Sequence, residues 1–191
     1  MMSLPNILTM SRIAAIPLIV GFLYLSSDFW SWAAFVVYAL ACITDYFDGY
    51  IARRLERVSA LGRFLDPIAD KLLVAAIILV LVATHHIVGW TTLAALIILC
   101  REILVSGLRE FLAELRVGVP VSVLAKWKTM VQMVALGFLI IGEAGPTAID
   151  CPLLGRILIW IAAALTLITG YDYLIVGLKH MAADDRRGDA A

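Results

Sequence analysis

The chain predicts an all-α integral membrane protein: a bundle of six transmembrane helices with an active-site cavity that faces the cytoplasm. Two observations carry that expectation. Hydrophobic residues make up 63% of the 191 positions against 16% charged, with a mean hydropathy of +0.98, well outside the make-up of an ordinary soluble domain. The apolar residues also fall into six runs, at roughly 7–25, 31–52, 68–84, 87–112, 121–142 and 153–178, spans suited to helices that cross about 30 Å of hydrocarbon at about 1.5 Å per residue.

Taken in order, the first run follows a polar lead-in, Ser3-Leu4-Pro5-Asn6-Ile7-Leu8-Thr9-Met10-Ser11-Arg12. It reads as a half-amphipathic segment in the headgroup zone, with Arg12 either snorkelling to the interface or touching substrate. No basic region precedes the apolar run, so a cleaved signal peptide is not expected. The second run ends on Asp45 and Asp48. The third is short unless its helix starts near Asp66, where Pro67 suits a first turn. Arg101 interrupts the fourth, Lys126 and Lys128 open the fifth, and the sixth leads into a solvated tail around Asp184, Asp185, Arg186 and Arg187. No internal repeat or second domain is visible, so residues 1–191 read as one membrane domain.

Placement of charge orients the bundle. Arg53, Arg54, Arg57, Arg63 and Lys71 flank one connection, Arg109, Arg116, Lys126 and Lys128 another, and Lys179, Arg186 and Arg187 the tail, whereas the connections at 26–28, 84–89 and 142–151 hold neither Lys nor Arg. The positive-inside rule then sets both termini and the aspartates in the cytoplasm. A formal net charge of zero gives no reason to expect a nucleic-acid partner. Cys42, Cys100 and Cys151 are scattered, which suggests neither a disulfide framework nor zinc. His85 and His86 read as a solvated pair on an external turn, and Trp30, Trp32, Trp90, Tyr171 and Tyr173 as interfacial anchors.

The chemistry concentrates in one stretch. Asp45 and Asp48 are spaced i, i+3, and Asp66 and Asp70 i, i+4, so each pair shares a helix face if both stretches are helical. A carboxylate at membrane depth costs roughly 2.5–3.5 kcal/mol, and four together on the order of 10 kcal/mol, unless cations balance them. One or two divalent ions held by oxygen ligands, Mg²⁺ or Mn²⁺, are the economical reading.

The full pattern, Asp45-x₂-Asp48-Gly49-x₂-Ala52-Arg53-x₈-Gly62-x₃-Asp66-x₃-Asp70, resembles the motif of the CDP-alcohol phosphatidyltransferases, with all eight fixed positions present. Average residue usage makes a chance match on the order of 10⁻¹⁰ per starting position. The resemblance implies a transferase that binds two divalent ions through Asp45, Asp48, Asp66 and Asp70, with Asp70 also accepting the proton of the acceptor hydroxyl. It implies a CDP-lipid site drawn from Asn6, Thr9, Gly49, Ala52, Arg53, Ser59 and Gly62. The small residues also suit close helix packing, which a bilayer bundle uses anyway.

The second half bears on the acceptor. Arg101-Glu102, Arg109-Glu110 and Lys126-Trp127-Lys128-Thr129 with Gln132, together with Asn6-x-Leu8-Thr9-x₂-Arg12, resemble the bacterial branch of the family that uses glycerol 3-phosphate. That resemblance implies CDP-diacylglycerol and glycerol 3-phosphate as substrates, a bacterial inner membrane, membrane lipids as neighbours and a homodimer as an open alternative. Arg101 inside a spanning run is expensive without an anion, so Arg101, Arg109, Lys126 and Lys128 make a candidate phosphate pocket. Alternatively, Arg101 pairs with Glu102 or Glu143 and the two lysines meet anionic headgroups. Another acceptor, inositol phosphate or serine, is the nearest rival, and a non-catalytic ion carrier the rival from a different class.

Overall fold

The computed structural model describes the backbone of residues 4–55, 60–114 and 123–188, with side chains over these except at 4–8, 45–55, 60–64, 66–67, 114, 172, 176 and 179–188. All regular structure among the described residues is helical: α1 (Leu4–Tyr24), α2 (Asp28–Leu55), α3 (Ala60–Ala83), α4 (Thr91–Glu114), α5 (Val123–Ile141) and α6 (Cys151–Gly188), with a single 3₁₀ turn at Gly142–Ala144. The six apolar runs are these six helices.

Among the described residues, three of them are long and apolar enough to cross a membrane, over Thr91–Ala113, Val123–Ala144 and Cys151–Ile175, and Thr9–Tyr24 and Asp28–Thr44 form shorter apolar helices. Large apolar side chains face outward, among them Leu79, Ile103 and Leu167, a lipid-facing surface rather than the polar one water demands. Inside lie Ile19, Leu23, Ile77, Leu81, Ile98, Leu136 and Ile140.

The helices close a ring. α1 packs on α2 and α3, α2 on α5, α5 on α6 and α6 on α4, while α3 meets α4 along the thinnest of these seams. Close approach depends on small residues, as expected where lipid gives no hydrophobic drive between helices. A Cβ on Gly155 would come within 2.7 Å of Leu139, and one on Gly177 within 2.7 Å of Leu108.

Several boundaries differ from expectation. α3 begins at Ala60, not near Asp66, because Ala60, Leu61, Arg63 and Leu65 are good helix formers and an interior Pro67 is tolerated in a bundle that re-satisfies freed backbone groups. α4 starts at Thr91 after a turn that has His85 at φ 61° and Gly89 at φ 58°. α6 runs to Gly188, so the backbone of Asp184 to Arg187 is helical. Arg12 is 2% exposed and turned into the bundle, not snorkelling. Tyr173 is also buried, its ring centroid 5.9 Å from the Arg101 guanidinium, whereas Trp90 is exposed as an interfacial anchor should be. Cys42, Cys100 and Cys151 are not joined in disulfides.

The connections α1–α2, α3–α4 and α5–α6 gather at one end, where Ser26, Asp28, Thr84, His85, His86, Glu143 and Arg156 line a cavity of about 450 Å³. Gly142, at φ 55°, packs so tightly there that a Cβ would lie 3.0 Å from the His86 ring.

Candidate functional site

Charged side chains buried among apolar helices need partners, and those partnerships build the site. On α1, buried Arg12 donates through Nη1 to Oδ1 of Asp70 on α3. Asp70 itself is 50% exposed. It stands at a cavity of about 290 Å³ lined by Arg12, Ala41, Asp70, Lys71, Glu102, Arg109, Lys128, Thr129 and Gln132, among others.

Across the cavity, Glu102 of α4 organises the cations. Its Oε1 accepts from Nζ of Lys128 on α5, which is 4% exposed, and stands 3.4 Å from Nη1 of Arg101. Arg101 otherwise turns toward α6: its Nη2 donates to Thr169 Oγ1 at 3.0 Å, and Gly170 leaves room for its stem, since a Cβ there would come within 3.0 Å of Arg101 Cγ. The pairing of Arg101 with Glu102, one of the two readings of the sequence, is therefore present.

Lys71, next to Asp70, bridges the thin α3–α4 seam by donating to Ser106 Oγ. That seam is a second cavity of about 350 Å³, lined by Lys71, Arg101, Glu102, Ser106, Arg109 and Glu110. Lys71, Glu102 and Arg109 line both cavities, so the two adjoin along these residues and are taken together as one cationic recess. Of the four cations expected to hold a phosphate, Arg109 and Lys128 meet at the recess with Asp70, Arg101 lines its α4 side, and Lys126 is exposed and lines neither cavity. Lys71 and Glu102 joined that group without being assigned to it, although a lysine beside a motif aspartate and a glutamate inside an apolar run were both visible signals.

Among the other candidates, Thr9 is fully buried on α1. Asp45, Asp48, Gly49, Ala52 and Arg53 belong to the last three turns of α2 and Gly62 and Asp66 to the first two of α3, and Asn6 to the start of α1; their side chains lie outside the described set, as does Ser59 altogether. Backbone register still carries information. Asp45 is four residues past cavity-lining Ala41 and Asp66 four residues before Asp70, so each stands one turn of the same helix from its partner, about 6 Å along the axis. Both α2 and α3 pack on α1.

Residues 2–168 match the CDP-alcohol phosphatidyltransferase family. The chain is similar to proteins named CDP-diacylglycerol–glycerol-3-phosphate 3-phosphatidyltransferase: 51% identical to that of Rickettsia bellii, over 90% of this chain and 93% of the relative. Similarity to the proteins of that name from Pseudomonas fluorescens (42%, covering 97% and 95%) and Cereibacter sphaeroides (39%, covering 94% and 97%) is nearly full-length too.

Proposed function

Since this chain belongs to the CDP-alcohol phosphatidyltransferase family, we propose that it moves the phosphatidyl group of CDP-diacylglycerol to glycerol 3-phosphate, releasing CMP. The observation that carries this reading is the half-exposed carboxylate of Asp70 in the lining of a recess that also holds Lys71, Arg109 and Lys128. A base beside a cluster of cations suits an acceptor that carries both a hydroxyl and a phosphate. The relatives named above for that reaction support the same acceptor.

In this reading residues 1–191 are one membrane domain set in the bacterial inner membrane. The basic recess and both termini are on the cytoplasmic side, in keeping with the Lys- and Arg-poor connections that gather at the opposite end. The donor set Asp45, Asp48, Asp66 and Asp70 is all carboxylate oxygen, which fits two Mg²⁺ or Mn²⁺ ions. Such ions, when bound, supply charge that offsets the pyrophosphate and the departing CMP.

The chain's own residues do the rest. Asn6, Thr9, Gly49, Ala52, Arg53, Ser59 and Gly62 hold the CDP-lipid, the glycines and Ala52 by leaving space and Arg53 by gripping phosphate. Arg109, Lys128 and Lys71 draw in the acceptor phosphate, and Arg101 steadies Glu102 and through it Lys128. Arg12 pins the Asp70 carboxylate, which meets the acceptor hydroxyl in the cavity. The hydroxyl oxygen forms a new bond to the lipid-bearing phosphorus, the bond from that phosphorus to the bridging oxygen breaks, CMP leaves with that oxygen, and the proton passes to Asp70.

Purified protein in detergent with CDP-diacylglycerol, Mg²⁺ and a panel of acceptors tests this through CMP release. Glycerol 3-phosphate should support turnover well above serine, inositol phosphate or unphosphorylated glycerol. Faster release with any of those three would transfer the assignment to another branch of the family.

A further inference from the structure

Gln132 stands one turn along α5 from Lys128, is 3% exposed and lines the same cavity as Asp70, Arg109 and Lys128. Its side-chain oxygen Oε1 is buried and has no hydrogen-bond partner. Buried carbonyl oxygens are seldom left that way. Four donors of the cavity lining are directed elsewhere: Thr129 Oγ1 to the Ala125 carbonyl at 3.1 Å, Tyr38 Oη to the Met133 carbonyl at 3.0 Å, Lys128 to Glu102 and Lys71 to Ser106. A buried acceptor atom that these four donors do not serve is suited to a donor brought by the ligand.

We infer that Gln132 accepts a hydrogen bond from the second hydroxyl of the acceptor alcohol, which makes the recess selective for 1,2-diol phosphates. This rests on the function proposed above. With the acceptor phosphate at Arg109 and Lys71 and the reacting hydroxyl at Asp70, the adjacent carbon carries the one remaining donor of glycerol 3-phosphate. Water could also satisfy Gln132, but water would not make the enzyme distinguish a diol from its deoxy analogue. A site built to bond a hydroxyl rejects the analogue that lacks it far more strongly than an apolar pocket rejects a size mismatch.

The test compares kcat/KM for sn-glycerol 3-phosphate and for 3-hydroxypropyl phosphate, the full-length enzyme working in detergent with CDP-diacylglycerol and Mg²⁺. The wild type should favour the diol by about tenfold or more. Gln132→Met, of similar size but without the acceptor atom, should bring the ratio close to one, chiefly by slowing the diol, with Mg²⁺-dependent CMP binding unchanged. A wild-type ratio near one overturns the inference, as does a Gln132→Met enzyme that keeps the full preference. If Gln132→Met fails to fold, the wild-type ratio decides alone, supporting the inference above about tenfold and overturning it near one. A wild type that releases no CMP with either phosphate overturns the proposed function as well, an outcome distinct from turnover without discrimination.

Discussion

Arg12 and Asp70, 58 residues apart, form an ion pair across the α1–α3 seam in which the guanidinium is 2% exposed and the carboxylate 50%. The asymmetry separates two roles in one contact: the arginine is structural and the aspartate presents itself to the cavity. Asp70→Asn should lower kcat by about 10²- to 10⁴-fold, the usual worth of a positioned base, while Mg²⁺-dependent CMP affinity measured by calorimetry changes little. It should also lower the melting temperature, because a buried charge loses a partner worth roughly 1.5–3 kcal/mol. Arg12→Gln should reduce kcat less, since the carboxylate is displaced but still present. Abolition of CMP binding by Asp70→Asn would make that residue mainly a ligand of the donor site.

Glu102 serves buried Lys128 and nearby Arg101 together. Glu102→Ala should therefore destabilise the protein by roughly 3–5 kcal/mol, the cost of stranding a buried charge. The double variant Glu102→Leu with Lys128→Leu should recover most of that stability without recovering acceptor turnover. Thermal unfolding in detergent reads the first effect and CMP release the second. A double variant no more stable than Glu102→Ala would show that the carboxylate acts by something other than charge compensation.

The same pair explains what could be read in the sequence and what could not. Helix count and approximate limits followed from the apolar runs, because a bilayer admits few alternatives to continuous helices. The aspartates were legible because their spacing is local, i, i+3 and i, i+4. The pairing of Arg12 with Asp70, of Arg101 with Thr169 and of Lys128 with Glu102 was not, since those contacts span 58, 68 and 26 positions and depend on which helices become neighbours. Local pattern also misjudged α3: Pro67 looked like a helix start, yet the residues before it continue the helix back to Ala60.

Cations differ in depth, which ranks their effects. Arg109→Ala and Lys71→Ala should each raise the KM for glycerol 3-phosphate through loss of a charge-assisted contact of roughly 1.5–3 kcal/mol, with the KM for CDP-diacylglycerol little changed. Lys126→Ala, outside both cavities, should stay within about 0.5 kcal/mol of the wild type. Steady-state kinetics with each substrate varied in turn reads the split. A larger effect from Lys126 than from Arg109 would relocate the phosphate.

At the opposite end, burial pushes the His86 imidazole below its ordinary value, against smaller upward pulls from its hydrogen bond to Thr84 and from Glu143. The unfolded chain thus binds a proton more readily than the folded one, so stability is lost as pH falls below about 6.5 toward the folded value. Melting temperature recorded between about pH 7.5 and 5.5 should fall in the wild type and fall less in His86→Asn. Equal slopes in the two proteins would remove His86 from the acid response.

The most direct test follows both products at once. Enzyme supplied with CDP-diacylglycerol, Mg²⁺ and radiolabelled glycerol 3-phosphate should carry label into the organic phase in a one-to-one ratio with CMP released, and neither should appear in excess chelator or with Asp45→Asn, Asp48→Asn or Asp66→Asn. Release of CMP without label in lipid, or undiminished transfer in chelator, would contradict the account.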